Sequence, residues 1–163
     1  GTGVGVGVWV NGGLLHGMLH PEGGHVFLPR HPKDPEGGIC PYHKNCLEGF
    51  ASGPAIEARW GKKAVELVDR PEVWELESYY IAQALVDYIL VLSPQKIILG
   101  GGVMHQEQLF PMIRANVLEM LNGYINTEEL GDMDNYIVPA SLKDNQGIMG
   151  CIKLGLNALD ASR

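Results

Sequence analysis

Glycine and proline are placed so unevenly that they set what the chain can fold into. Thirteen of its 22 glycines lie in residues 1–53, and five of its ten prolines fall between Pro21 and Pro41. The front third is therefore built from tight turns and constrained loops. The rest, with nine glycines spread over residues 54–163, reads as ordinary regular structure. The 163 residues match the size of one domain. With 45% hydrophobic and 19% charged residues, the chain has the composition of a folded domain. A net charge of -7 argues against nucleic acid as a partner, because phosphate binding needs a cationic footprint. The longest apolar stretch, Tyr79–Leu92, is interrupted by Gln83 and Asp87 and is too short to span a membrane.

Gly3–Val10 alternates small and β-branched residues and predicts a strand; Asn11-Gly12 then predicts a type I′ hairpin, with Leu14–Met18 returning. Residues 20–45 are too rich in Pro and Gly for long elements. A helix is expected over Cys46–Trp60, kinked near Gly53-Pro54, and a clear one over Glu72–Leu92, ended by Ser93-Pro94. Lys96–Leu99 reads as a buried strand, Gln106–Leu121 as a helix closed by Asn122-Gly123, and Tyr136–Pro139 as a strand. Asp144 or Asn145 can cap a last helix reaching Leu159, in which Cys151 is expected to be a buried free thiol. Strands alternating with helices behind a hairpin imply an α/β domain.

Cys40-Pro-Tyr-His43-Lys-Asn-Cys46 places three soft or borderline ligands within seven residues. A structural Zn²⁺ wants four in a tetrahedron. His25 is the preferred fourth, with His20 and His31 as competitors. A Cys40–Cys46 disulfide is the alternative; an unpaired Cys151 and no secretory signal favour a reducing compartment and the metal. Few large apolar residues lie between Pro21 and Pro41, so the metal is expected to decide whether this loop is ordered. Gly1-Thr2-Gly3-Val4-Gly5 presents unobstructed backbone N–H groups suited to anionic oxygens, without being a Walker loop. Gly100-Gly101-Gly102 lets a flat ligand or a second backbone approach closely.

The order G-T-G-V-G, N-G, H-P-E-G-G-H, C-x2-H-x2-C-L-E-G-x-A-S-G, I-L-G-G-G-V, D-N-Q-G resembles the C-terminal half of the ROK family of repressors and sugar kinases. His43 and the H-P-E-x-G-H form resemble its bacterial fructokinase branch. The resemblance implies one lobe of an actin-like ATPase (ribonuclease H-like) α/β fold, with a zinc-binding loop inserted at about residues 20–48. It implies nucleotide contacts from Gly1, Thr2, Gly3, Gly100, Gly101, Gly102 and Val103, and sugar contacts from Glu22, His25 and Glu48. It implies a structural zinc on His25, Cys40, His43 and Cys46, with one ring nitrogen of His25 left for the sugar.

The implied reaction is transfer of a phosphoryl group from Mg-ATP to a hexose, fructose first, in a cytoplasmic protein that dimerises when full-length. The family's first phosphate turn, D-x-G-x-T, has no match in these residues, and neither does its catalytic aspartate. The chain is therefore expected to be the C-terminal half of a sugar kinase and inactive by itself. The sugar-sensing domain of a ROK repressor is the alternative, and a stand-alone zinc-stabilised sugar-binding module a third reading.

Overall fold

A computed structural model describes residues 2–142 and 145–161. Gly1, a nucleotide candidate, and Asp144, a cap candidate, lie outside them. The chain is mixed α/β. A hairpin of β1 (Trp9–Val10) and β2 (Gly13–Leu14) opens it. Helices α1 (Leu47–Ala51), α2 (Gly53–Trp60) and α3 (Pro71–Leu92) follow. Then come strand β3 (Ile97–Leu99), α4 (Leu109–Leu121), two single-turn helices, α5 (Glu128–Gly131) and α6 (Met133–Tyr136), strand β4 (Ile137–Pro139) and α7 (Gln146–Ala161). Strand β4 lies parallel to β3, with Ile97 beside Ile137 and Leu99 beside Pro139.

The hairpin turn forms where Asn-Gly predicts it. Asn11 and Gly12 both take positive φ, 51° and 79°, as a type I′ turn requires. The strands are shorter than expected. Among the described residues, positions 3–7 pair with no neighbouring strand, and the N–H of Val4 is spent on the carboxylate of Glu48 instead. The return strand stops early because the chain turns at once, Gly17 N–H donating to Leu19 O at 3.0 Å.

The kink expected near Gly53-Pro54 is a full break. Ser52 is extended, and its hydroxyl caps α2 by accepting from Ala55 N–H. Helix α3 starts one residue earlier than expected, with Pro71 in its first turn, and ends at Ser93 with φ 47°. Helix α4 begins at Leu109 rather than Gln106, because a 3₁₀ turn over Gly102–His105 takes up the preceding residues.

One face of α3 packs along α4. Val73, Trp74, Leu85 and Ile89 meet Leu109, Ile113, Val117 and Leu121 in the main core. Another stretch of α3, Leu76, Tyr80 and Ala84, packs on Leu28, Leu47, Phe50 and Ala51 and so carries α1 and the start of the proline-rich loop. Two expectations fail, for one reason. Strand β3 is not fully buried, Ile98 being 64% exposed, and Cys151 is an exposed thiol. Both depend on cover from another element. Helix α7 instead shows Ile148, Ile152, Leu154 and Leu156 to solvent, each more than half exposed.

A buried polar network, unforeseen in the sequence, pins the proline-rich loop. Asp34 is 1% exposed and is held by Arg59 through both carboxylate oxygens, at 3.2 and 3.1 Å. Tyr80 donates its hydroxyl to Asp34 at 2.7 Å and accepts His31 N–H at 3.0 Å. Arg59 also donates to Phe50 O at 3.0 Å, and the Phe50 ring stacks on Tyr80. A bidentate Arg–carboxylate pair with its remaining valences filled can repay its desolvation. The loop is thus anchored at Asp34 whatever the metal does.

Glu77, also on α3, is buried with neither carboxylate oxygen hydrogen-bonded. Burial raises its pKa from 4.5 to about 8, against a weaker opposing pull from Arg59. The unfolded carboxyl ionises near 4.5 while the folded one stays protonated. Ionisation therefore favours the unfolded chain, and stability falls as pH rises from about 4.5 to about 8. Glu77→Gln removes this slope. In urea denaturation the variant is expected to be more stable than the parent at pH 9 by a few kcal/mol. The parent then carries a buried unpaired charge that the neutral amide lacks, and a tenfold change in its ionisation equilibrium is worth about 1.4 kcal/mol. The gap should narrow towards pH 5; an equal difference at both pH values would contradict the assignment.

Candidate metal and ligand site

Residues 26–28 and 45–47 run beside each other, Leu28 N–H donating to Asn45 O and Leu47 N–H to Val26 O. This closes the ends of the proline-rich loop on one another and brings His25 to Cys46. Cys46 is also the cap of α1, its sulfur accepting Gly49 N–H at 3.4 Å. Glycine is needed where the loop folds back: a Cβ on Gly38 would lie 2.7 Å from Lys44 O. Cys40 then packs against Gly49, where an added Cβ would stand 3.1 Å from its own.

His25, Cys40, His43 and Cys46 each point one ligand atom inward, all within 4.8 Å of one another. The sulfurs of Cys46 and Cys40 lie 3.6 and 3.8 Å from His25 Nδ1, and Cys40 Sγ lies 4.0 Å from His43 Nδ1. Tetrahedral Zn²⁺ with its usual Zn–S and Zn–N bonds separates its ligand atoms by about 3.5–3.8 Å. The donor set and its spacing fit such an ion, and both cysteines are free thiols. The sequence competitors go elsewhere. His20 pairs with Glu22 at 2.8 Å, and His31 accepts Lys33 N–H and packs edge-on against Tyr79.

The two thiols differ. Burial opposes ionisation of Cys40, but hydrogen bonds from the His43 and Tyr42 backbone and from Cys46 outweigh it and lower its pKa. Burial raises the pKa of Cys46, only partly offset by the Gly49 N–H.

His25 presents its inner nitrogen, Nδ1, to the sulfurs, so Nε2 faces out, 3.9 Å from Glu48 Oε1. The other oxygen of Glu48 accepts Val4 N–H at 3.0 Å. Glu22 precedes the same 3₁₀ turn that carries His25, its backbone carbonyl accepting His25 N–H. Tyr88 on α3 fixes that turn by donating to Gly23 O at 2.7 Å. Sequence reasoning missed the partners of Glu48 and Gly23. The Gly23-Gly24 pair was the available signal, since backbone must pass close there.

A cavity of about 440 Å³ is lined by Gly3 on one side and by Gly100, Gly101, Gly102 and Val103 on the other. The two glycine segments, nearly 100 residues apart in sequence, therefore share one space. Gly101 has φ 96°, a conformation reserved for glycine, and Gly100 sits tightly against Ala140 and Gln146. Thr2 is exposed and is not part of the lining. Of the N–H groups read from the sequence as an anion cradle, that of Val4 is already engaged.

Cys40→Ser is the direct test of the cluster. Elemental analysis should find about one metal per chain in the parent, the single-site expectation, and much less in the variant. Hydrogen exchange should rise around residues 20–28 and 37–46, but less around Asp34. A metal-free parent purified without chelator would contradict the reading.

Comparison with known proteins gives this geometry a setting. The chain is 57% identical over 162 residues to a Bacillus subtilis (strain 168) protein named "Putative fructokinase", covering 99% of this chain and 54% of that protein. It is 49% identical over 160 residues to the fructokinase of Pediococcus pentosaceus, covering 98% and 54%. Among solved structures it resembles the ROK hexokinase of Thermus thermophilus, with TM-score 0.73, 24% identity, and 91% and 52% coverage. It also resembles a ROK glucokinase from Streptomyces griseus in complex with glucose and AMPPNP, with TM-score 0.71, 22% identity, and 94% and 57% coverage. The chain spans about half the length of the curated relatives it matches. The ROK family model matches residues 1–158, and the chain belongs to the ROK family.

Proposed function

We propose that this chain is one lobe of an ATP-dependent sugar kinase that converts fructose to fructose 6-phosphate. The observation that carries the reading is the cluster of His25, Cys40, His43 and Cys46, which leaves His25 Nε2 facing Glu48. An ion held there is structural. It fixes the loop and aims one imidazole nitrogen at the sugar. Zinc suits the two-sulfur, two-nitrogen set. Glu22, His25 and Glu48 then hold sugar hydroxyls, for which carboxylates are strong, directional acceptors. The relatives named as fructokinases, and the match along nearly the whole of this chain, support fructose as the substrate.

Gly1, Thr2, Gly3 and Gly100, Gly101, Gly102, Val103 take the nucleotide of Mg-ATP. The support is the single cavity that Gly3 shares with Gly100–Val103. Phosphoryl transfer needs a base for the attacking hydroxyl and tight positioning from both sides of the phosphate. These 163 residues contain no D-x-G-x-T loop and span about half the length of the related fructokinases. On this reading the 163 residues bind ligands without turning them over, and the whole kinase acts as a homodimer. The open apolar faces of α7 and of Ile98 on β3 are consistent with a lobe that packs against more protein.

Two measurements test this. A coupled ADP-release assay of the chain with fructose and Mg-ATP should stay at blank, and turnover well above blank would contradict the proposed division of labour. Calorimetry should find that ADP changes the affinity for fructose. Fructose binding indifferent to ADP would instead favour a stand-alone sugar-binding module.

A further inference from the structure

Glu48 stands where the metal loop meets the glycine turn. One oxygen faces His25 Nε2 at 3.9 Å, and the other accepts Val4 N–H at 3.0 Å. The contact leaves no room for a side chain on the turn: a Cβ on Gly3 would lie 2.6 Å from Glu48 Oε2. Beside it runs a second route. A Cβ on Gly24 would lie 1.9 Å from Val4 O, and one on Gly23 would lie 2.8 Å from Val6 Cβ. The turn that carries His25 is thus packed tightly against this segment, on the backbone of Val4 and the side chain of Val6. Among the described residues, positions 3–7 have no strand partner, so these contacts, with Val4 packed on the core of Leu28, Leu47 and Phe50, hold the segment.

We propose that Glu48 is a positioning residue that ties order in the metal loop to order in the glycine turn. With Nδ1 held between the two sulfurs, His25 has a fixed ring whose outer nitrogen stands 3.9 Å from the near oxygen of Glu48, the reach of a bridging water or a dipolar attraction rather than of a direct hydrogen bond. The far oxygen then holds Val4, and through it the backbone of residues 3–5. Metal occupancy therefore sets the shape of a turn that contains no metal ligand. By linkage the coupling is reciprocal: whatever binds the turn stabilises the metal loop equally. The tie itself is geometric. Only the identity of the turn's ligand, a nucleotide, rests on the sugar-kinase reading.

Amide exchange of the ¹⁵N-labelled chain, metal-replete and chelator-treated, tests the tie without any nucleotide. In the parent, removing the metal should speed exchange at Val4 about tenfold or more, as expected for loss of a hydrogen bond to a charged acceptor. In Glu48→Ala, Val4 should exchange fast with or without metal while metal content stays near that of the parent. Glu48→Gln keeps an acceptor oxygen and should restore part of the protection. Metal sensitivity that survives in Glu48→Ala would assign the coupling to Gly23-Gly24 and overturn the proposal. So would a parent whose Val4 exchange ignores the metal.

If Glu48→Ala does not fold, Gly3→Ala gives the same reading from outside the metal loop. Its Cβ displaces the carboxylate, and protection at Val4 should fall with metal content unchanged; unaltered protection there counts against the tie. Calorimetry with ADP forms a separate arm. Equal affinity in the parent and in Glu48→Ala would overturn the positioning role. A chain that shows the exchange pattern but binds no ADP would uphold the tie and refute the nucleotide reading.

Discussion

Convergence of two sulfurs and two imidazole nitrogens on one point is the constraint from which the rest of the site follows. Residues 20–46 contain little that could form a core, so their shape has to come from few, strong interactions. A structural zinc contributes on the order of 10 kcal/mol of apparent binding energy in small peptides. That is comparable to the ~5–15 kcal/mol by which a whole domain is stable. An ion in this cluster outweighs any single side-chain contact in the loop. It also decides a direction: His25 uses Nδ1 inward, so Nε2 points outward at Glu48.

The loop has a second, independent anchor in Asp34, Arg59 and Tyr80. Breaking a buried ion pair by removing one partner costs about 3–5 kcal/mol, less than the metal but more than a surface contact. The two anchors divide the loop. A metal in the cluster would organise its ends, at His25 and at Cys40–Cys46, while Asp34 fastens its middle to α2 and α3. Glycines do the remaining work by permitting backbones to touch. Gly24 against Val4 and Gly38 against Lys44 are positions where any Cβ would force the chain apart. The glycine excess of the front third is therefore a requirement of close packing rather than of flexibility.

Features with local causes were legible in the sequence. Asn11-Gly12 announces its turn through the conformations it alone favours, and the apolar spacing of Leu76, Tyr80 and Ala84 announces α3 and its buried face. The ligand cluster was legible because three of its members fall within seven residues; His25 was preferred as the fourth, with His20 and His31 left as competitors until the fold sends them to other partners. Features that depend on distant partners were not legible. Asp34 reads as an ordinary loop charge until Arg59 and Tyr80 arrive from 25 and 46 residues away. Val4 reads as a strand residue until Glu48, 44 residues on, takes its N–H. Ile98 and Cys151 were expected inside because their local patterns are apolar. Burial depends on a covering element, and among the described residues none closes over Ile98 or over the Cys151 face of α7.

A tetrahedral metal on His25, Cys40, His43 and Cys46 would organise both this loop and the glycine turn beside it. X-ray absorption at the zinc edge, on chain purified without chelator, addresses it directly. The expected shell has about two sulfur neighbours near 2.3 Å and about two nitrogen neighbours near 2.0–2.1 Å. A six-coordinate shell of oxygens, or protein without metal, would contradict it.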